Sequence, residues 1–138
     1  MNPARERILA NLREVRERIA QAARRSGRSA DAVRLVAVTK TVPTDTIRVL
    51  LEEGQADIGE NQAQQLRDRA RELAGLGVRW HMIGHLQRNK VKYVVPACAM
   101  IHSVDSLRLA EEISKRAQAA GTQATCLVEV NAGGEEAK

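Results

Sequence analysis

The chain has 138 residues, of which 43% are hydrophobic and 28% charged, and its formal net charge is +5. That length suffices for one domain with a real core and is too short for two, and the apolar content excludes a disordered chain. Trp80 and Tyr93 are the only aromatic residues, so aliphatic side chains must fill the core and no aromatic platform exists for stacking single-stranded bases.

The positive charge is concentrated in residues 1–28, which carry eight arginines against Glu6, Glu14 and Glu17, while the rest of the chain is balanced. A basic end can serve a nucleic-acid or membrane surface. Interleaved acids, with Glu14 and Arg18 at i,i+4 spacing, fit a solvated helix face instead, which makes nucleic acid an unfavoured partner. Ile8, Leu12, Val15, Ile19 and Ala22 or Ala23 form one apolar stripe that predicts a helix over 4–25, ending near Ser26-Gly27. The start, MNPARERILANLREV, lacks a signal-peptide core, and no run approaches a membrane span. Cys98 and Cys126 show neither CxxC nor zinc spacing, which fits a reducing compartment without disulfide or metal. A cytoplasmic location, away from membranes, is expected.

Five strands are predicted at 33–38 (VRLVAV), 56–59 (ADIG), 79–84 (RWHMIG), 100–104 (MIHSV) and 125–130 (TCLVEV). Between them lie helical stretches. TDTIRVLLEEG has Thr44 or Asp45 as N-cap and Gly54 as stop, and ENQAQQLRDRARELAGLG follows it. LQRNKVKYVV is closed by Pro96, and DSLRLAEEISKRAQAAG is capped by Asp105 or Ser106 and ended by Gly121. A strand and a helix alternating every twenty-odd residues mark βα units of a parallel α/β sheet.

Two architectures fit five βα units: a complete doubly wound sheet, or part of a (β/α)₈ TIM barrel, which runs to about 200–250 residues. The sequence stops in a polar loop, NAGGEEAK, directly after a strand and without a covering helix. The reading is therefore a single domain over 1–138, an N-terminal helix at 1–28 and five βα repeats over 33–131 of a C-terminally incomplete barrel.

Ligands of parallel βα proteins meet the carboxyl ends of the strands. There stand Lys40; Gly59, Glu60 and Asn61; Gly84, His85 and Gln87; Ser103 and Asp105; and Asn131. The run LVAVTK is informative because the chain has only five lysines against seventeen arginines. Beside an apolar strand an ammonium can lose its proton and become a nucleophile towards carbonyl compounds, which arginine cannot do. A lysine snorkelling from a strand end explains the residue as well. His81 and His85 are four apart without the HExxH glutamate, so one packed and one rim histidine are expected rather than a metal pair. His102 reads as a strand residue. Glu60 and Asp105 are acid/base candidates, and Arg88 and Lys90 of HLQRNK suit either a phosphate at a helix start or a solvated turn.

The blocks AVTKTVP at 37–43, DIGEN at 57–61, WHMIGHLQRNK at 80–90, HSVDS at 102–106 and VEVNAGGEEAK at 128–138 resemble the pyridoxal phosphate (PLP) homeostasis protein family, also called the YggS/PROSC family, in order and at the right spacing. The resemblance implies a barrel of the alanine racemase N-terminal type, PLP fold type III. It implies that Lys40 forms the internal aldimine with pyridoxal 5'-phosphate and that Asn61 lines the cofactor face, with His85, Gln87 and Asn89 at the same mouth. It also implies that the phosphate-binding loops and the arginine facing the pyridine nitrogen lie in later strands, beyond the five units present here. Family members bind PLP without established turnover and serve vitamin B6 balance, with PLP-dependent apo-enzymes as recipients. Two other readings stand beside this one: a fold type III racemase or decarboxylase, and an open-sheet binding module with a basic N-terminal helix.

Overall fold

The computed structural model describes residues 2–134; the end of the block at 128–138 lies outside them. Asn2 caps a long helix, α1 (Pro3–Arg25), by accepting from the Ala4 N–H, and Pro3 stands in the first turn, where no N–H is needed. The helix ends at Ser26, followed by Gly27 at φ 76°, as its sequence predicts. Only Leu12 and Ala23 of α1 are buried, so the helix is mostly wet. Its longest-range charged contact is the 2.6 Å pair of Arg5 with Glu52 on the next helix; Glu14–Arg18 is not among the described ion pairs.

After a short 3₁₀ turn the chain alternates strand and helix: β1 (Ala37–Val38), α2 (Thr44–Glu52), β2 (Asp57–Glu60), α3 (Ala63–Glu72), β3 (Arg79–Met82), α4 (Val91–Val94), β4 (Cys98–Val104), α5 (Leu107–Ala120) and β5 (Cys126–Val128). The five strands are all parallel and lie in the order β1-β2-β3-β4-β5. A doubly wound sheet reverses its strand order at a switch point. Strictly sequential order is the arrangement of a (β/α) barrel wall, so this α/β sheet is consistent with part of one.

Several boundaries differ from the expected ones. β1 is reduced to two residues because it pairs on one side only, through Ala37–Ile58 and Val38–Gly59. Pro43, not Thr44 or Asp45, precedes α2, without a side-chain cap. The stretch before Pro96 splits into a 3₁₀ turn at Arg88–Lys90 and the single turn α4, and Pro96 has no N–H with which to continue it. Ser106 caps α5 by accepting from the Leu109 N–H, and Gly121 ends it in the left-handed region at φ 68°.

One core fills the space between sheet and helices. Ile58, Trp80, Met82 and Ile101 of the sheet pack with Ile47, Leu50, Leu66, Val91, Leu109 and Ile113 of α2 to α5. Each such side chain contributes roughly 1.5–3 kcal/mol when fully buried. The opposite, concave face is different: Val38 is exposed there, and on β5 Leu127 and Val128, which alternate between the two faces, are both exposed. Among the described residues no helix is long and apolar enough to cross a membrane.

Candidate functional site

Strand alternation decides which residues reach the concave face. In the run Val38-Thr39-Lys40, Thr39 is buried against the helices and its hydroxyl donates to Glu60 at 2.7 Å, while Val38 and Lys40 are exposed. Lys40 stands in the turn just past the carboxyl end of β1, with its side chain exposed. Its backbone is held from behind by α3. Arg69 donates to the Thr39 carbonyl at 2.6 Å and also to the Val42 carbonyl, and Gln65 donates to the Lys40 carbonyl at 3.2 Å.

Arg69 is itself tied to Glu60 at 2.5 Å, a fully buried carboxylate. This corrects the expectation that Glu60 belongs to the polar rim. Strand β2 runs through Glu60, and the alternation turns that side chain towards the helices. Its second oxygen, Oε2, is buried without a partner, and its work is to anchor Arg69 rather than to face a ligand. Ser103 is corrected in the same way: it lies inside β4, buried, with a hydroxyl that has no partner.

The remaining rim residues gather between two loops. Asn61, His85, Gln87 and Lys90 line a cavity of about 220 Å³. His85 and Gln87 also line a larger one of about 640 Å³ with Arg88, Asn89, Asp105 and Ser106, where the His85 imidazole stands 3.8 Å from the Asp105 carboxylate. Lys40 is not a lining residue of either cavity. Gly84 lets the two loops meet: a methyl group there would overlap the Asn61 backbone. Asn131 follows β5 on an exposed turn.

A second constellation is not legible as a motif. His81 is 1% exposed; its Nε2 lies 2.9 Å from Asp57 Oδ1, and its Nδ1 lies 2.9 Å from Nε2 of His102. Asp57 also accepts two bonds from Arg79, at 3.0 and 2.6 Å. These bonds, with the His81 bond next, outweigh burial and hold the Asp57 carboxyl down at about 2. Burial, then the neighbouring His81, lowers His102 below the ordinary imidazole value. The signal for this cluster was a period of two shared by three strands, which needs the register to be seen. Burial drives the Cys98 thiol up to about 12. Among the described residues no group of three or more His, Cys, Asp or Glu side chains is placed to hold a metal ion.

No family model matches the sequence. The pyridoxal phosphate homeostasis protein of Aquifex aeolicus is 42% identical over 127 residues, which cover 92% of this chain and 56% of that protein. The chain belongs to the pyridoxal phosphate homeostasis protein family. Among solved structures, an unknown protein from Bifidobacterium adolescentis superposes with a TM-score of 0.85 at 40% identity, covering 100% of this chain and 60% of that one. PipY of Synechococcus elongatus, a structure with PLP bound, superposes at 0.71 and 36% identity, covering 83% of this chain and 55% of PipY. The chain thus spans little more than half the length of the homeostasis proteins and structures it matches.

Proposed function

We propose that this protein is a PLP carrier of vitamin B6 homeostasis that holds pyridoxal 5'-phosphate as a Schiff base on Lys40, without turnover. When bound, PLP would supply an aldehyde, and the Lys40 Nζ amine is the group that would hold it. The donor set fits such a group. An amine at a strand end, together with the Asn61 and Gln87 amides and the His85 imidazole that line one cavity, can bind an aldehyde, a hydroxyl and a ring nitrogen. In this reading the five units are the first part of an alanine racemase-type barrel, residues 1–138 form one domain, and the protein works in the cytoplasm. The recipients of the cofactor are PLP-dependent apo-enzymes.

The observation that carries the proposal is the clamp behind Lys40. Three hydrogen bonds from Gln65 and Arg69, to the carbonyls of Thr39, Lys40 and Val42, fix the backbone at and around it, while the side chain stays exposed. Fixing a backbone costs order at that point, and here the order serves a single amine. The test is the absorbance spectrum of the protein mixed with PLP, before and after borohydride, with mass spectrometry of the reduced adduct. One adduct on Lys40 is expected; labelling scattered over Lys90, Lys92 and Lys115 sinks the proposal.

A further inference from the structure

The register places His102 in the same row as the attachment lysine. Val38, Gly59, His81 and Met100 are successive partners across β1 to β4. Two residues further along stand Lys40, Asn61 and Ile83, just past the ends of β1, β2 and β3, and His102, which lies within β4 on the face of Met100 by alternation. His102 is half-buried, and its one described hydrogen bond is the 2.9 Å bond of Nε2 to His81.

That bond fixes where its protons are. The Asp57 carboxylate only accepts, so a neutral His81 carries its proton on Nε2, which leaves His81 Nδ1 as an acceptor. His102 must then donate from Nε2, and its own Nδ1 is bare. The two nitrogens of an imidazole diverge, so this bare lone pair faces away from His81. The charged groups around the chain support the assignment. Arg79 holds Asp57 by two bonds, and Arg34 stands 3.9 Å from it, keeping the carboxyl ionised. Lys40 is a cation of the same row as His102, three strands away.

We propose that His102 is a ligand-contacting residue of the concave face, held as the Nε2-protonated tautomer by the Asp57–His81 pair so that its Nδ1 accepts a hydrogen bond from a hydroxyl or protonated nitrogen of the bound pyridine compound. Asp57 and His81 act through it and are positioning residues. The same chain can take up a proton without any ring turning. A proton arriving at His102 Nδ1 releases the one on Nε2 to His81 Nδ1, and the positive charge comes to rest on His81 beside the Asp57 carboxylate. The contact with a pyridine ligand rests on the proposed function; the tautomers do not.

The experiment has two arms for that reason. In the first, nitrogen-15 NMR of the protein without PLP reads both tautomers at neutral pH: His81 and His102 should each carry the proton on Nε2. A His102 protonated on Nδ1 overturns the inference. Asp57→Asn should loosen the assignment, because an amide can either accept from His81 Nε2 or donate to it. In the second arm, His102→Phe should weaken PLP binding about tenfold, the worth of one hydrogen bond to a charged or strongly polar group, and move the pH at which the bound PLP spectrum changes. The reduced adduct should remain on Lys40. His102→Gln, whose amide can donate to His81 and accept from the ligand, should restore the affinity but not the pH response, because an amide takes up no proton. If the wild type shows the Lys40 adduct and His102→Phe binds PLP with unchanged affinity and pH response, the contact is refuted and the proposed function stands. If the wild type takes up no PLP, the proposed function falls and the contact falls with it.

Discussion

Arg69 donates to the carbonyl of Thr39 at 2.6 Å, one residue before Lys40, so a helix on the outside of the sheet sets the backbone that carries the amine. The guanidinium reaches three acceptors there, the carbonyls of Thr39 and Val42 and the Glu60 carboxylate. This fan-shaped donation is particular to arginine.

Removing one side of the Arg69–Glu60 pair leaves a buried charge without its partner. Arg69→Met should lower unfolding stability by about 3–5 kcal/mol in a denaturant titration. Adding Glu60→Gln to it should recover a large part of the loss. A double variant no more stable than the single one would show that the carbonyl bonds, and not the carboxylate, dominate.

Lys40→Ala should have the opposite profile. The side chain is exposed and makes no described ion pair, so stability should change by less than about 0.5 kcal/mol. The PLP absorbance band and the borohydride-fixed adduct should disappear. A surviving band at full strength would place the attachment elsewhere.

Acid stability should carry the signature of Asp57. Its folded value of about 2 lies below the ordinary 3.8. Its stabilisation is thus fully present above the ordinary value and is lost as pH falls through the lowered one. With Arg79 half-exposed, the contribution is on the order of 1–2 kcal/mol. Comparing unfolding midpoints of the wild type and Asp57→Asn between neutral pH and pH about 2 checks this. The gap between the two proteins should narrow as the pH is lowered.

Thiol chemistry should separate the two cysteines. Cys98 is held at about 12 by burial, and Cys126 is exposed with a smaller rise of the same cause. In the native protein a maleimide should modify Cys126 and spare Cys98 until denaturant is added. Equal rates at both would show that β4 opens readily.

Gly84→Ala should separate the loops that form the mouth. A methyl at this position meets the Asn61 backbone, which cannot yield as a flexible side-chain end would. A loss of about 1–3 kcal/mol in stability, together with weaker PLP binding, is the expected outcome of calorimetry and titration.

The sequence made the helix ends and the amine legible for local reasons. Gly27, Gly54 and Gly121 adopt the positive φ that their place after apolar periodic runs implies, and Lys40 interrupts an aliphatic run in a chain that otherwise chooses arginine. Glu60 was misplaced because β2 runs one residue past its expected end, and Ser103 because it lies within β4 on the face turned to the helices. With a side-chain period of two, one residue exchanges mouth for core. The Asp57–His81–His102 chain was invisible for a different reason. Its members are separated by more than twenty residues at each step, and only the parallel register of β2, β3 and β4 brings them together.

The sequential strand order has a consequence for how the molecule comes into being. Every strand pairs with its immediate successor in the chain, so each added βα unit needs only the one made before it. Contacts of this kind close short loops, so each added pairing costs little loop entropy. During synthesis, which proceeds from the N-terminus, the Lys40 clamp can be set as soon as α3 has emerged, well before β5 exists. The amine is in place before the wall around it is built.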